Sequence, residues 1–339
     1  MPESSQAILR ANQYGRPSFI DKIGLFSKLA VLHECTVVLI WSYLFKWSGR
    51  TRKRSLRDGL TRFLLTKLNI RQCQHVIGTT KATYNAWCKQ VKQEPHIEAI
   101  GEGANLLWVG ERRLEKVILV FHGGAFLLPP IDTHVKFWAR VGAKLGERGI
   151  NVSLAMLEYT LVPAAAFPTQ LKQAVAAINH LTSLGVKPQN IQLAALSLAA
   201  PLKGAYLMSP WVDLSDIHGT FKSGDPTDIL TTGTLRYWGT EILRPVPKEY
   251  LGYVEANSAG DDWWKGVDAL VDRVLITAGR EECLKDEIIR FNSVFENFHA
   301  HVKMEEHDGV HDDPLFAVEL GESGGGAPDM IIDWFRAGY

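Results

Sequence analysis

Beyond residue 95 the apolar positions fall into short runs separated by amphipathic stretches. Runs that read as strands occupy His96–Ile100, Leu106–Val109, Val117–Phe121, Val152–Leu157, Ile191–Ala194, Ala205–Met208, Val274–Thr277 and Val302–Met304. Between them, three stretches keep a helical period. Val135, Trp138 and Leu145 share one face, Leu171, Val175, Ile178 and Leu181 another, and Leu284, Ile288, Phe291, Phe295 and Phe298 a third. This alternation predicts an α/β fold with a mostly parallel sheet covered on both sides. Ser215–Gly266 interrupts it with glycine, proline and aromatics (Tyr237, Trp238, Trp263, Trp264), as an insertion over one end of the sheet would.

The first 94 residues read differently. Residues 1–22 are polar, without the basic start and immediate apolar stretch of a secretory signal, so a cytoplasmic chain is expected rather than a secreted one. Leu25–Trp47 is the most apolar stretch. It carries Lys28, His33 and Glu34 and is followed by Lys46, Arg50, Arg52, Lys53, Arg54 and Arg57. Three readings stay open: a helix packed on the domain as part of a lid, an interfacial helix over anionic lipid, and a single span. The buried cost of Glu34 weighs against the span.

Composition narrows the function classes. The chain of 339 residues suits one large α/β domain or two average ones, and its 46% apolar and 22% charged residues exclude disorder and a polytopic membrane protein. Lys+Arg and Asp+Glu both total 37, so nothing suggests a nucleic-acid partner. Four cysteines (Cys35, Cys73, Cys88, Cys283) form no CxxC pair, which argues against a metal cluster or disulfide framework and fits a reducing compartment.

The strongest chemical signal is Val117–Phe126, a buried strand running into His122-Gly123-Gly124. Successive glycines let backbone N–H groups converge on one point, as an oxyanion hole for acyl transfer requires. An ordinary glycine turn is the plainer reading.

The segment after the fourth strand, E-Y-T-L-V-P with Pro163 and Pro168, resembles the hormone-sensitive-lipase-like branch of the α/β-hydrolase superfamily. M-S-P-W-V-D-L-S (Met208–Ser215), Leu275–Glu287 and His307–Pro314 strengthen the likeness, and fungal members look most similar. The resemblance implies an α/β-hydrolase fold, a mostly parallel eight-stranded sheet flanked by helices. A helical cap would come from residues 1–94, with its 25–47 segment able to meet a membrane, and from about 215–266. Residues 95–339 would form the hydrolase domain. It also implies a Ser–acid–His triad. Glu282 in E-E-C-L-K-D stands at the acid position, with Glu281 and Asp286 as alternates, although acidic residues also favour a helix start there. His311 in G-V-H-D-D-P stands at the base position, with His307 competing.

The nucleophile motif departs from the family pattern. G-D-S-A-G becomes Ala195-Leu196-Ser197-Leu198-Ala199, and only Leu198–Gly204 separate Ser197 from the next strand. A parallel crossover ordinarily needs about a dozen residues. Either the elbow and its helix have been lost, by deletion or exon joining, or Ser197 is a nucleophile in a remodelled crossover.

The resemblance implies hydrolysis of a lipophilic small-molecule ester without a cofactor, with Ser197, Glu282 and His311 catalytic and His122, Gly123 and Gly124 forming the oxyanion hole. Phe126, Trp211, Trp263 and Trp264 are candidate pocket walls or plain core. A tailoring role in fungal secondary metabolism is one extension. An impaired pseudo-hydrolase that binds a small molecule is the alternative, and peripheral membrane contact would run through 25–57. The oligomeric state stays open.

Overall fold

The computed structural model describes residues 17–30, 51–194, 202–215, 228–322 and 326–339. Strands β1 (Ile97–Gly101), β2 (Ala104–Val109), β3 (Val117–Phe121), β4 (Ser153–Glu158), β5 (Ile191–Ala194), β6 (Gly204–Met208), β7 (Val274–Gly279) and β8 (Val302–His307) form one sheet ordered β1-β2-β4-β3-β5-β6-β7-β8. β2 is antiparallel to β1 and β4, and the remaining neighbours are parallel. The eight strands coincide with the eight apolar runs. β8 continues three residues past its run, because this edge strand carries exposed or half-buried charged side chains, Lys303, Glu305 and Glu306, that break the apolar signal.

Around the sheet lie α1 (Phe19–Ala30), α2 (Arg52–Lys67), α3 (Ile70–Ile77), α4 (Thr80–Val91), α5 (Asp132–Glu147), α6 (Thr169–Ser183), α7 (Thr232–Leu243), α8 (Lys285–Phe295), α9 (Asp313–Leu320) and α10 (Ala327–Ala337). On one face Val135, Trp138, Val141 and Leu145 of α5 join Ile331, Ile332 and Phe335 of α10 in a core with Ile118, Val120 and Met156 of the sheet. On the other, α6 and α8 cover Leu119, Leu193 and Ile276. The buried face of α6 is turned from the predicted one. Gln170, Gln173, Ala174 and Ala177 are buried beside Ile178 and Leu181, while Leu171 and Val175 lie at the margin. Burial of Gln173 is tolerable because its amide is satisfied at both ends: it donates to the Glu102 carbonyl at 2.8 Å and accepts from the Thr160 amide at 2.8 Å. Gln170 donates to the Thr160 carbonyl at 2.7 Å, but among the described residues its Oε1 has no partner.

β5 and β6 pair in parallel, Leu193 opposite Ala205 and Ala194 opposite Tyr206, although only positions 195–203 join them. That is shorter than the dozen residues of an ordinary parallel crossover. Ser197 lies outside the described residues. The apolar sheet surface nearby is nevertheless closed. Leu193, Leu202, Ala205 and Leu207 are buried in one core with Leu235 and Trp238 of α7 and with Val254, Val267 and Val271. Among the described residues, α7 and the segment that follows it thus contribute cover for this part of the sheet.

Of the apolar N-terminal segment, positions 31–50 also lie outside the described residues. Among the described residues, no helix is long and apolar enough to cross a membrane.

Candidate active site

The carboxyl ends of β3, β6, β7 and β8 converge on one cluster. After β7 the chain turns at Gly279, where an added Cβ would fall 2.5 Å from the Gly309 carbonyl oxygen, so only glycine lets the acid loop meet the loop after β8. That close approach brings Glu282 to His311. Nδ1 of His311 donates to Oε1 of Glu282 at 2.9 Å. Oε2 accepts from the Ser209 hydroxyl and the Gly279 amide, both at 2.8 Å. Glu282 is 1% exposed, and three donors satisfy the buried charge.

Of the competing candidates, Glu281 is half-buried and Asp286 exposed. His307 is buried at the end of β8, where burial pulls its imidazole down. Of the two histidines, it is His311 that hydrogen-bonds Glu282.

Asp228 binds the two loops together. One oxygen accepts the His311 amide at 3.1 Å and the other the Cys283 amide at 2.8 Å. Burial raises the pKa of this carboxyl. Helix α2 clamps the assembly from outside: Arg54 pairs with buried Asp313, and Arg62 donates to the Asp228 and Leu230 carbonyls.

At the end of β3, Gly124 has φ +107° and an added Cβ would lie 2.4 Å from the Leu128 carbonyl oxygen, so glycine is required. Its carbonyl accepts the Leu127 and Leu128 amides at 2.9 and 2.8 Å, which fixes the turn. Among the described residues the Gly123 and Gly124 amides donate to no backbone or side-chain acceptor. His122 braces the turn from behind. Its ring stacks on Tyr159 at 4.3 Å, and the Tyr159 hydroxyl donates to the His122 carbonyl at 2.7 Å. Burial pulls the His122 pKa down to about 3, so the ring is neutral.

The two halves meet at Asp312, whose backbone is left-handed (φ +56°). Its Oδ2 lies 3.5 Å from Nε2 of His311 and 3.4 Å from where a Cβ of Gly123 would stand. Nε2 of His134 lies 3.7 Å from that same point. Burial alone would lower the His311 pKa, but the Asp312 charge, the Glu282 hydrogen bond and charge, and Asp228 outweigh it and raise it to about 10. Burial, with the charges of Glu282 and Asp228, raises Asp312 to about 6 despite the attraction of His311. Burial lowers His134 to about 4, helped by the His311 charge.

The candidate pocket residues are spread out. Phe126 meets Tyr159 edge-on at 6.0 Å, and Trp211 donates its indole N–H to the Asp213 carbonyl at 2.7 Å. Trp263 is 41% exposed against Tyr253, and Trp264 packs on Phe291 and Phe295 of α8. Ser209, Asp228, His134 and Asp312 were not singled out by sequence, although Ser209 and Asp312 stand inside two of the segments that carried the resemblance.

This sheet order, with a histidine and carboxylate at the sheet's end beside a glycine turn, defines a hydrolase-type α/β protein. Residues 118–313, more than half of the chain, match the family described as alpha/beta hydrolase fold, and the chain belongs to that family. A Schizosaccharomyces pombe protein, whose name provisionally assigns it to steryl acetyl hydrolysis, is 23% identical over 210 residues, covering 54% of this chain and 55% of that protein. An acetyl-hydrolase of Streptomyces hygroscopicus is 25% identical over 197 residues, 53% of this chain and 62% of its own length. The chain thus spans little more than half the length of these relatives. An esterase of the bacterial hormone-sensitive lipase family superposes with a TM-score of 0.64 at 20% identity, covering 85% of this chain and 99% of that one. Carboxyl esterase 2 of the fungus Tuber melanosporum gives 0.60 at 20% identity, over 72% and 87%.

Proposed function

We propose that this chain hydrolyses a carboxylic ester of a small lipophilic molecule by acyl transfer. The observation that carries the reading is the 2.9 Å hydrogen bond from Nδ1 of His311 to buried Glu282, made beside the glycine turn at the end of β3. Glu282 holds the tautomer with its proton on Nδ1, which leaves Nε2 to take a proton from the attacking hydroxyl. The Gly123 and Gly124 amides receive the developing oxyanion. Nε2–H then protonates the leaving alcohol, and a water repeats the cycle on the acyl-enzyme. Ser197 is the nucleophile in register with the family pattern.

Residues 1–94 and the 215–266 insertion serve as the cap over a hydrolase domain of 95–339, a role supported by the α2 clamp on the base loop. Phe126, Trp211, Trp263 and Trp264 are its candidate substrate walls. The protein acts in the cytoplasm and touches membranes through 25–57. Exposure of Phe19, Ile20 and Ile23 on α1 and of Leu56 and Leu60 on α2 supports a peripheral contact. A tailoring step in fungal secondary metabolism extends this reading; similarity to fungal proteins supports no more than the ester-hydrolase class.

The test is turnover of p-nitrophenyl esters of increasing acyl length, with fluorophosphonate labelling. Hydrolysis lost in Ser197→Ala and His311→Ala, with the label on Ser197, is the expected result. The short β5–β6 connection favours a second reading, a binder that kept the site without its chemistry. Ligand-dependent thermal shifts without labelling or turnover would establish that instead.

A further inference from the structure

The mechanism above uses one carboxylate on His311, yet the imidazole has two. Glu282 stands on Nδ1, and Asp312 closes on Nε2 at 3.5 Å. Nε2 is the atom that must accept a proton in acyl transfer, and a carboxylate beside it favours the protonated ring. The position is built. Asp312 is held in left-handed backbone, its amide donates to the Ser209 hydroxyl at 3.3 Å, and the next residue, Asp313, is fully buried against Arg54 of α2.

We propose that Asp312 is a second counter-ion of His311 that holds the base in its charged form, so that ester hydrolysis at this site starts only when the Asp312 carboxylate is neutralised or drawn away from Nε2. The proposal deepens the ester-hydrolase reading and rests on it. The ring is faced by Glu282 from the acid loop, Asp228 from the segment before α7, His134 from α5 and Asp312 from its own loop. His134 is neutral, so three carboxylates act together and Asp312 is the one on the reacting nitrogen. The raised His311 and Asp312 pKa values, about 10 and about 6, agree with this geometry. Substrate that displaces the Asp312 side chain would release the base as it binds.

Asp312→Asn is the decisive variant, because asparagine keeps the shape, removes the charge and tolerates left-handed backbone. His311 is followed by NMR of its ring Cε1–H against pH, and ester turnover is followed over the same range. In the wild type the imidazole should remain protonated past pH 8. In Asp312→Asn its titration should move down by a pH unit or more, and the acid limb of kcat/KM should move with it, raising turnover at pH 7 about tenfold. A wild-type His311 that titrates near pH 6.5, readable without any variant, overturns the proposal. So does an Asp312→Asn protein whose His311 titration is unmoved. A moved titration without turnover in either protein sustains the counter-ion and sinks the ester reading, so the two failures are separable.

Discussion

The Ser209 hydroxyl donates to Oε2 of Glu282 at 2.8 Å and accepts the Asp312 amide at 3.3 Å, so one small side chain past β6 fastens the acid loop to the base loop. With Oε2 fixed, Oε1 has a single orientation, toward His311. A hydrogen bond to a buried carboxylate contributes about 1.5–3 kcal/mol. Ser209→Ala should therefore lower stability by ~2 kcal/mol and kcat by roughly tenfold with KM little changed. Urea titrations and steady-state ester kinetics measure both, and a variant matching wild type in each would remove Ser209 from the site.

Glu282→Gln tests the tautomer. Glutamine has nearly the same shape, but its amide can donate as well as accept and no longer stabilises an imidazolium. A fall in kcat of about 10²–10⁴ at neutral pH is expected, with the fold retained. The corresponding amide change at Asp286, Asp286→Asn, at an exposed residue in the first turn of α8, should leave turnover within about twofold, as surface sites usually do. Equal losses at both positions would place the acid elsewhere.

The glycine turn is tested through stability first. Gly124→Ala forces a Cβ to within 2.4 Å of the Leu128 carbonyl oxygen at φ +107°. The backbone must shift, at a cost of order 1–3 kcal/mol. Stability and kcat should fall together, because the displaced amides are the ones assigned to the oxyanion. Gly103 is the control. It also has positive φ (+70°), but nothing lies within 4 Å of its added Cβ, so Gly103→Ala should cost stability and spare kcat.

How much of this site was legible depends on distance along the chain. Strands β3 to β7 stand out because strands buried on both faces read as nearly continuous apolar runs, with only isolated polar positions such as Gln192 and Thr277. The proximity of Glu282 and His311 is legible because each sits a few residues past a late strand, where the resemblance points. Asp228 was not, since nothing local marks an aspartate in an insertion as the anchor of amides at positions 283 and 311. His134 lies in the first turn of an amphipathic helix and reads like any polar N-terminal residue. The burial of Gln170 and Gln173 on α6 was hidden for a related reason: their partners, the Thr160 and Glu102 backbone, exist only once the loops fold over the helix.

His311 binds its proton more tightly in the folded state, with a pKa raised from 6.5 to about 10, so its contribution is full below about pH 6.5 and is lost as pH rises through 10. Asp312, raised from 3.8 to about 6, runs in the same direction: its contribution is full below about pH 3.8 and is gone above about pH 6. Between pH 7 and 10, then, His311 is the group that changes. Unfolding free energy should decline there by up to ~1.4 kcal/mol per pH unit relative to a His311→Gln protein, in which that slope is absent. Urea midpoints at pH 7, 8.5 and 10 for the two proteins measure the difference, in which groups remote from His311 cancel; Asp312, which loses the attraction of the imidazolium in the variant, belongs to the same coupled term. Parallel curves would mean that the imidazole is not held charged between its two carboxylates.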